Sequence, residues 1–241
     1  MIAELNRPPS PILTDCSLGV GLYSPAEAAM YARVKTQTLK RWVFGDGQGE
    51  AAFTPQITGG EERTVSFLDF IQAMAVRAIR TQFDIPLPRI RTAVDLVEST
   101  LGILYPFARQ HKTYVIREGS AKGELAIEIN NRVIQISGKL KKQHLIGPIA
   151  ELYMDKVEFG TDGLACEYTA WKAGPDSIRM NPHLRFGEPI VAGCGYTARA
   201  LWEAVQNEGS IKDAAEAYGV PEKQIRLACE YFDHLINRDI A

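Results

Sequence analysis

The stretch from Leu22 to Trp42, LYSPAEAAMYARVKTQTLKRW, constrains the fold more than any other part of the chain. Ser24 followed by Pro25 reads as a helix N-cap with proline at the first helical position, and Glu27 stands at the capping-box offset. Ala28, Ala29 and Ala32 predict a short helix with a small-residue face. A turn is expected near Arg33-Val34-Lys35, after which Thr36 is a second cap for a helix from Gln37 to Val43. Val34, Leu39 and Trp42 are spaced to hold the two helices together.

Two short helices joined by such a turn have the layout of a helix-turn-helix, whose second helix enters the DNA major groove. Charge points the same way. Arg33, Lys35, Lys40 and Arg41 lie in a run from Met30 to Phe44 that contains no acid. Thr36, Gln37 and Thr38 offer hydroxyl and amide groups where base edges are read. The plainer reading is a helical hairpin with a solvated basic face.

The net charge of −2 makes any nucleic-acid surface local rather than a property of the whole molecule. With 46% hydrophobic and 23% charged residues, the composition is that of a soluble globular protein. No apolar run reaches membrane-spanning length, and MIAELNRPPSPIL reads as an extended arm, not a signal peptide. A cytoplasmic location is expected. Cys16, Cys166, Cys194 and Cys229 are far apart, as are His111, His144, His183 and His234. That spacing predicts reduced structural thiols and supports neither a metal site nor a cofactor.

Beyond Trp42, a glycine-containing turn leads to extended runs over Ala52–Ile57 and Arg63–Phe67, joined by Gly59-Gly60. This predicts a hairpin, which after a helix-turn-helix reads as a wing. Arg63 near its tip is placed to contact phosphate, or is an ordinary surface arginine. Helices are predicted over Ser66–Phe83 and Arg89–Leu101, broken by Ile85-Pro86-Leu87-Pro88.

The order Y-S-x-x-E-A-A, turn, T-L-K-R-W, R-T-V-S-F, long helix, I-P-L-P-R-I-R resembles the MerR-like winged-helix domains. By that resemblance Thr38, Lys40 and Arg41 lie on a recognition helix and Arg63 in the wing. MerR regulators continue into a long dimerising helix, whereas here Pro106 ends the helical region.

From Phe107 the pattern changes to short alternating runs. Strands are predicted over Thr113–Ile116, Leu125–Ile129 and Arg132–Ile136, with turns at Gly119 and Asn130-Asn131. A short helix is expected over Leu140–Leu152, then a hairpin of Lys156–Phe159 with Leu164–Trp171. Glu124, Glu128, Glu151 and Asp155 lack the paired context of general acid–base chemistry. No catalytic residues are assigned.

Three helices are predicted at the C-terminus: Tyr196–Gln206 capped by Thr197, Ile211–Tyr218, and Glu222–Leu235. They form a second helix-turn-helix-like unit. From Tyr196 to Ala241, eight acidic residues stand against five basic ones, which opposes phosphate contact and favours a protein partner.

The segment N-P-x-L-R-F-G-E-P-I-V-A-G-C-G-Y-T … G-S-I-K-D-A-A-E-A-Y-G-V resembles a small domain of bacterial antitoxins, over roughly residues 178 to 235. Together with the winged helix, the chain resembles the longer VapB-like antitoxins. That resemblance implies a PIN-like (VapC-type) ribonuclease toxin as partner and autorepression through operator DNA. It also implies a homodimer or a toxin–antitoxin hetero-oligomer. The expected fold class is α+β: an arm over 1–21, a MerR-like winged helix over 22–104, a β-rich module over 105–177 and a helical domain over 178–241. Expected DNA-binding residues are Lys35, Thr36, Gln37, Thr38, Lys40, Arg41 and Arg63; Glu203, Glu208 and Glu216 are expected to face the toxin. The rivals are a MerR-like regulator whose β module senses a small molecule, and an enzyme using the helix-turn-helix only for packing.

Overall fold

The computed structural model describes residues 21–47, 49–58, 62–110, 112–116, 124–129, 132–136, 145–148 and 154–236. The expected arm, apart from Gly21, and the turns at Gly59-Gly60, Gly119 and Asn130-Asn131 lie outside them.

Helix α1, Pro25–Tyr31, begins as its capping residues dictate: Ser24 accepts from the Glu27 amide while Glu27 reaches back to the Ser24 amide at 3.0 Å. Arg33 turns the chain in the left-handed region (φ 52), and α2 follows as Thr36–Phe44. The expected cap at Thr36 is corrected. Lys35 occupies the N-cap, and no side chain caps α2. Val34, Leu39 and Trp42 are buried between the helices, as their spacing implies.

The expected hairpin between Ala52–Ile57 and Arg63–Phe67 is not formed. Ala52–Ile57 holds no strand, and β2, Val65–Ser66, pairs instead with β1, Leu22–Tyr23. The reason lies in where the backbone hydrogen bonds go. Ala52 N–H donates to the Trp42 carbonyl at 2.6 Å, Gln56 N–H to the Asp69 carboxylate at 3.0 Å, and the Arg91 guanidinium donates to the Ala51 carbonyl at 3.0 Å. Alanine and phenylalanine at 52 and 53 are both buried, so the segment packs on helices instead of alternating as a strand would.

Helix α3, Phe67–Phe83, carries a capping box from Ser66 and Asp69 and ends at Asp84 in the left-handed region. Helix α4, Leu87–Leu101, ends at Gly102. A single 3-10 turn at Pro106–Ala108 then leads into two four-stranded antiparallel sheets.

In the first sheet the order is β5-β4-β3-β6, from β3 (Lys112–Ile116), β4 (Glu124–Ile129), β5 (Arg132–Gln135) and β6 (Leu145–Pro148). The last corrects the helix expected over Leu140–Leu152: residues 145–148 are extended and pair with Tyr114 and Ile116. Pro148 fits there because β6 is an edge strand, where a missing N–H costs no ladder bond.

The second sheet, β10-β9-β8-β7, comprises β7 (Val157–Phe159), β8 (Ala165–Ala173), β9 (Asp176–Met180) and β10 (Ile190–Val191). Strands β9 and β10 were not expected. Ile178 pairs with both Trp171 and Val191, so this sheet runs straight across the boundary placed at 177/178. Helices α5 (Ala198–Glu208), α6 (Ile211–Tyr218) and α7 (Glu222–Ile236) close the fold, with Thr197 and Ser210 as caps. The rings of Trp202 and Phe232 stack at 5.4 Å to join α5 to α7. The architecture is α+β, and one continuous apolar core runs from Tyr23 to Leu235.

Candidate nucleic-acid interface

Leu39, Trp42 and Val43 anchor α2 on its buried face, which fixes what the other face carries. Gln37 and Arg41, one turn apart, are exposed, as is Lys35 at the cap; Thr36, Thr38 and Lys40 are half-buried beside them. No acid lies in the first turn, and no side chain occupies the amides that a helix start leaves free. Those amides and the aligned peptide dipoles favour an anion at this end.

Arg63 joins this face by a route that the hairpin reading did not foresee. Its guanidinium lies over the Phe44 ring, 5.2 Å from the centroid. Phe44 follows Gln37 and Arg41 at spacings of seven and three, so it continues their stripe at the far end of α2. Gln37, Arg41 and Phe44 therefore share one stripe of α2, with Arg63 laid over its far end, while Lys35 is exposed at the cap, on another side of the helix start. Sequence reasoning missed Phe44; its signal was an aromatic falling on the polar stripe, out of phase with Leu39 and Trp42.

The turn before α2 is tied to the opposite end of the chain. Arg33 Nη1 donates to His234 Nε2 at 2.9 Å, since a guanidinium can only donate. Burial, followed by the charges of Arg33, Arg77 and Lys156, lowers the His234 pKa below its ordinary value. The α1 side is held similarly. Arg199 pairs with Glu27 at 3.6 Å, and Tyr23 donates to the Gly187 carbonyl at 2.8 Å.

The acidic candidates are less concentrated. Glu203, Glu208 and Glu216 are all exposed, the first two on α5 and the third on α6. Five residues apart, Glu203 and Glu208 point about 140° from one another around their helix. Among the described residues no group of three or more His, Cys, Asp or Glu could hold a metal ion. The thiols of Cys166, Cys194 and Cys229 are free, and burial raises each above its usual pKa, opposite to the activation a nucleophile needs. No helix among the described residues is long and apolar enough to cross a membrane.

No protein-family model matches the chain. It is 24% identical, over 237 residues, to a Mycobacterium tuberculosis protein described as "Putative antitoxin VapB45", covering 88% of this chain and 93% of that one. A second protein of the same organism, "Uncharacterized protein Rv2308", is 24% identical over 218 residues, covering 87% and 89%. The crystal structure of Rv2018 from Mycobacterium tuberculosis superimposes with a TM-score of 0.60 at 22% identity, covering 87% of this chain and 97% of that one. The fold is shared with Rv2018.

Proposed function

We propose that this chain is a non-catalytic antitoxin of a type II toxin–antitoxin pair that also represses its own operon. The observation that carries the antitoxin role is the likeness to the protein named VapB45, which extends over nearly the whole of both chains. The DNA-binding role is supported by the exposed Gln37 and Arg41 on one stripe of α2, Arg63 over its far end and Lys35 at its cap, with Thr36, Thr38 and Lys40 half-buried around the same helix. In this reading Thr36, Gln37 and Thr38 meet base edges, and the cations meet phosphates. One helix-turn-helix reaches only one half-site, so the operator-bound species is a homodimer or a larger assembly with toxin. The toxin is a PIN-like ribonuclease in the cytoplasm. The exposed Glu203, Glu208 and Glu216 speed its approach through charge, while buried contacts hold it.

Two experiments on the full-length chain separate these roles. Lys40→Ala combined with Arg41→Ala should weaken binding to the upstream promoter fragment. It should also lower the slope of log affinity against log salt by about two. An unchanged slope in a folded double variant excludes α2 as the reader. For the antitoxin role, expression together with a PIN-like protein encoded beside this gene should restore growth that the toxin alone arrests. Growth arrest that persists with both proteins present rejects that role.

A further inference from the structure

A cavity of about 360 Å³ lies where the α1–α2 turn, α3, β8 and α7 meet, away from the outer face of α2. Its walls carry the side chains of Arg33, Arg77, Lys156 and His234, and none of its lining residues is acidic. Among the described residues, no carboxylate forms an ion pair with any of these four. Collecting three cations around one cavity is unfavourable by itself, because like charges repel, most strongly between the half-buried Arg33 and Arg77. The cost is visible: burial and the neighbouring Arg33 both depress the Arg77 guanidinium.

Two further features set the cavity apart from a chance gap. Arg33 Nε and Trp171 Nε1 are buried donors that find no acceptor among the described residues, and both side chains line the cavity. A buried N–H without an acceptor is unfavourable, so a small turn of either side chain toward a bound oxygen would be favoured. Arg33 also holds a left-handed backbone (φ 52) that a non-glycine residue adopts only when its surroundings impose it. His234 accepts from Arg33 through Nε2, so its proton sits on Nδ1, and its ring lies 4.6 Å from that of Trp171.

We propose that this cavity binds a small oxyanion, the phosphate or carboxylate group of a small molecule. The guanidinium groups of Arg33 and Arg77 supply forked donors, Lys156 supplies charge at the rim, and Trp171 adds a neutral N–H. Bound there, the anion joins the turn that precedes α2 to β8 and α7. This site is independent of whether the chain neutralises a toxin.

The test is thermal unfolding of the full-length chain in sodium phosphate and in sodium benzoate, each against sodium chloride of equal ionic strength. Saturating probe should raise Tm by about 3 °C or more with at least one of them. A rise with phosphate alone identifies a phosphate site, one with benzoate alone a carboxylate site, and one with both a general oxyanion site. Arg77→Met and Lys156→Gln should each weaken the effect at least tenfold; Lys156 is exposed, so its variant folds even if the α3 variant does not. The rise should persist in the Lys40→Ala/Arg41→Ala variant, which separates this cavity from the α2 face. No rise with either probe overturns the site. So does an undiminished rise in folded Arg77→Met and Lys156→Gln, or loss of the rise when only Lys40 and Arg41 are replaced.

Discussion

Asp69 is fully buried at the first turn of α3 and accepts backbone protons from Ser66 at 3.2 Å and Gln56 at 3.0 Å. One carboxylate thus caps a helix and ties down the segment that failed to become a hairpin. Burial outweighs these hydrogen bonds and pushes its pKa up to about 6, from an ordinary value of 3.8. Between those values the folded chain binds more proton than the unfolded chain. The stabilising contribution is therefore complete below about pH 4 and is lost as pH rises through about 6, at up to about 1.4 kcal/mol per pH unit. Asp69→Asn should flatten this part of the stability–pH curve, measured by urea unfolding from pH 4 to 7. A wild-type curve that shows no excess fall over the variant would contradict the shift. Ser66 at the helix start was legible from sequence. The bond to Gln56 was not, because it joins residues whose closeness depends on how the loop packs.

At the scale of the element, α2 has two faces set by separate rules. The buried face follows helical periodicity, and Leu39 and Trp42 were readable from spacing alone. The exposed face needs tertiary information, since Arg63 comes from a separate segment to lie over the Phe44 ring. A cation over an exposed aromatic contributes about 0.5–1 kcal/mol. A double-mutant cycle of Phe44→Leu with Arg63→Met should therefore show coupling of about 0.5–1 kcal/mol in urea unfolding. Strictly additive variants would mean that the ring does not hold Arg63 over the stripe. Helices α5 to α7 were more legible than the strands between them. Thr197 and Ser210 cap α5 and α6, and Gly209 and Gly219 end them in left-handed turns, so local chemistry marks both ends.

Over the whole molecule, the N-terminal helices and the C-terminal third share side chains instead of meeting at a linker. The rings of Phe70 and Tyr168 lie 5.7 Å apart, Tyr23 is bonded to Gly187, and Arg33 is bonded to His234. Gly187 lies at φ +85, and a Cβ there would collide with the Tyr23 hydroxyl, so the contact depends on glycine. Because the core is continuous, heating should produce one cooperative transition, with the fluorescence of Trp42 and Trp202 changing at the same midpoint. The two midpoints, read from variants that retain one of these tryptophans, should coincide. Separate midpoints would show that the two ends unfold as independent units.

Sequence by itself determined the features that local chemistry controls: the capping box at Ser24, the turn at Arg33, the apolar stripes of α3 and α7, and the acid-free run around α2. These depend on neighbours within a few residues, so their signals survive in a linear reading. Tertiary structure alone decided that Val65–Ser66 would pair with Leu22–Tyr23, that residues 145–148 would extend along an edge, and that β9 and β10 would carry the second sheet past residue 178. It also decided that Arg33, Arg77, Lys156 and His234 would meet around one cavity. Alternation can mark a strand, but not the distant partner that takes its hydrogen bonds, and the walls of a cavity come from distant elements that carry no shared mark at all.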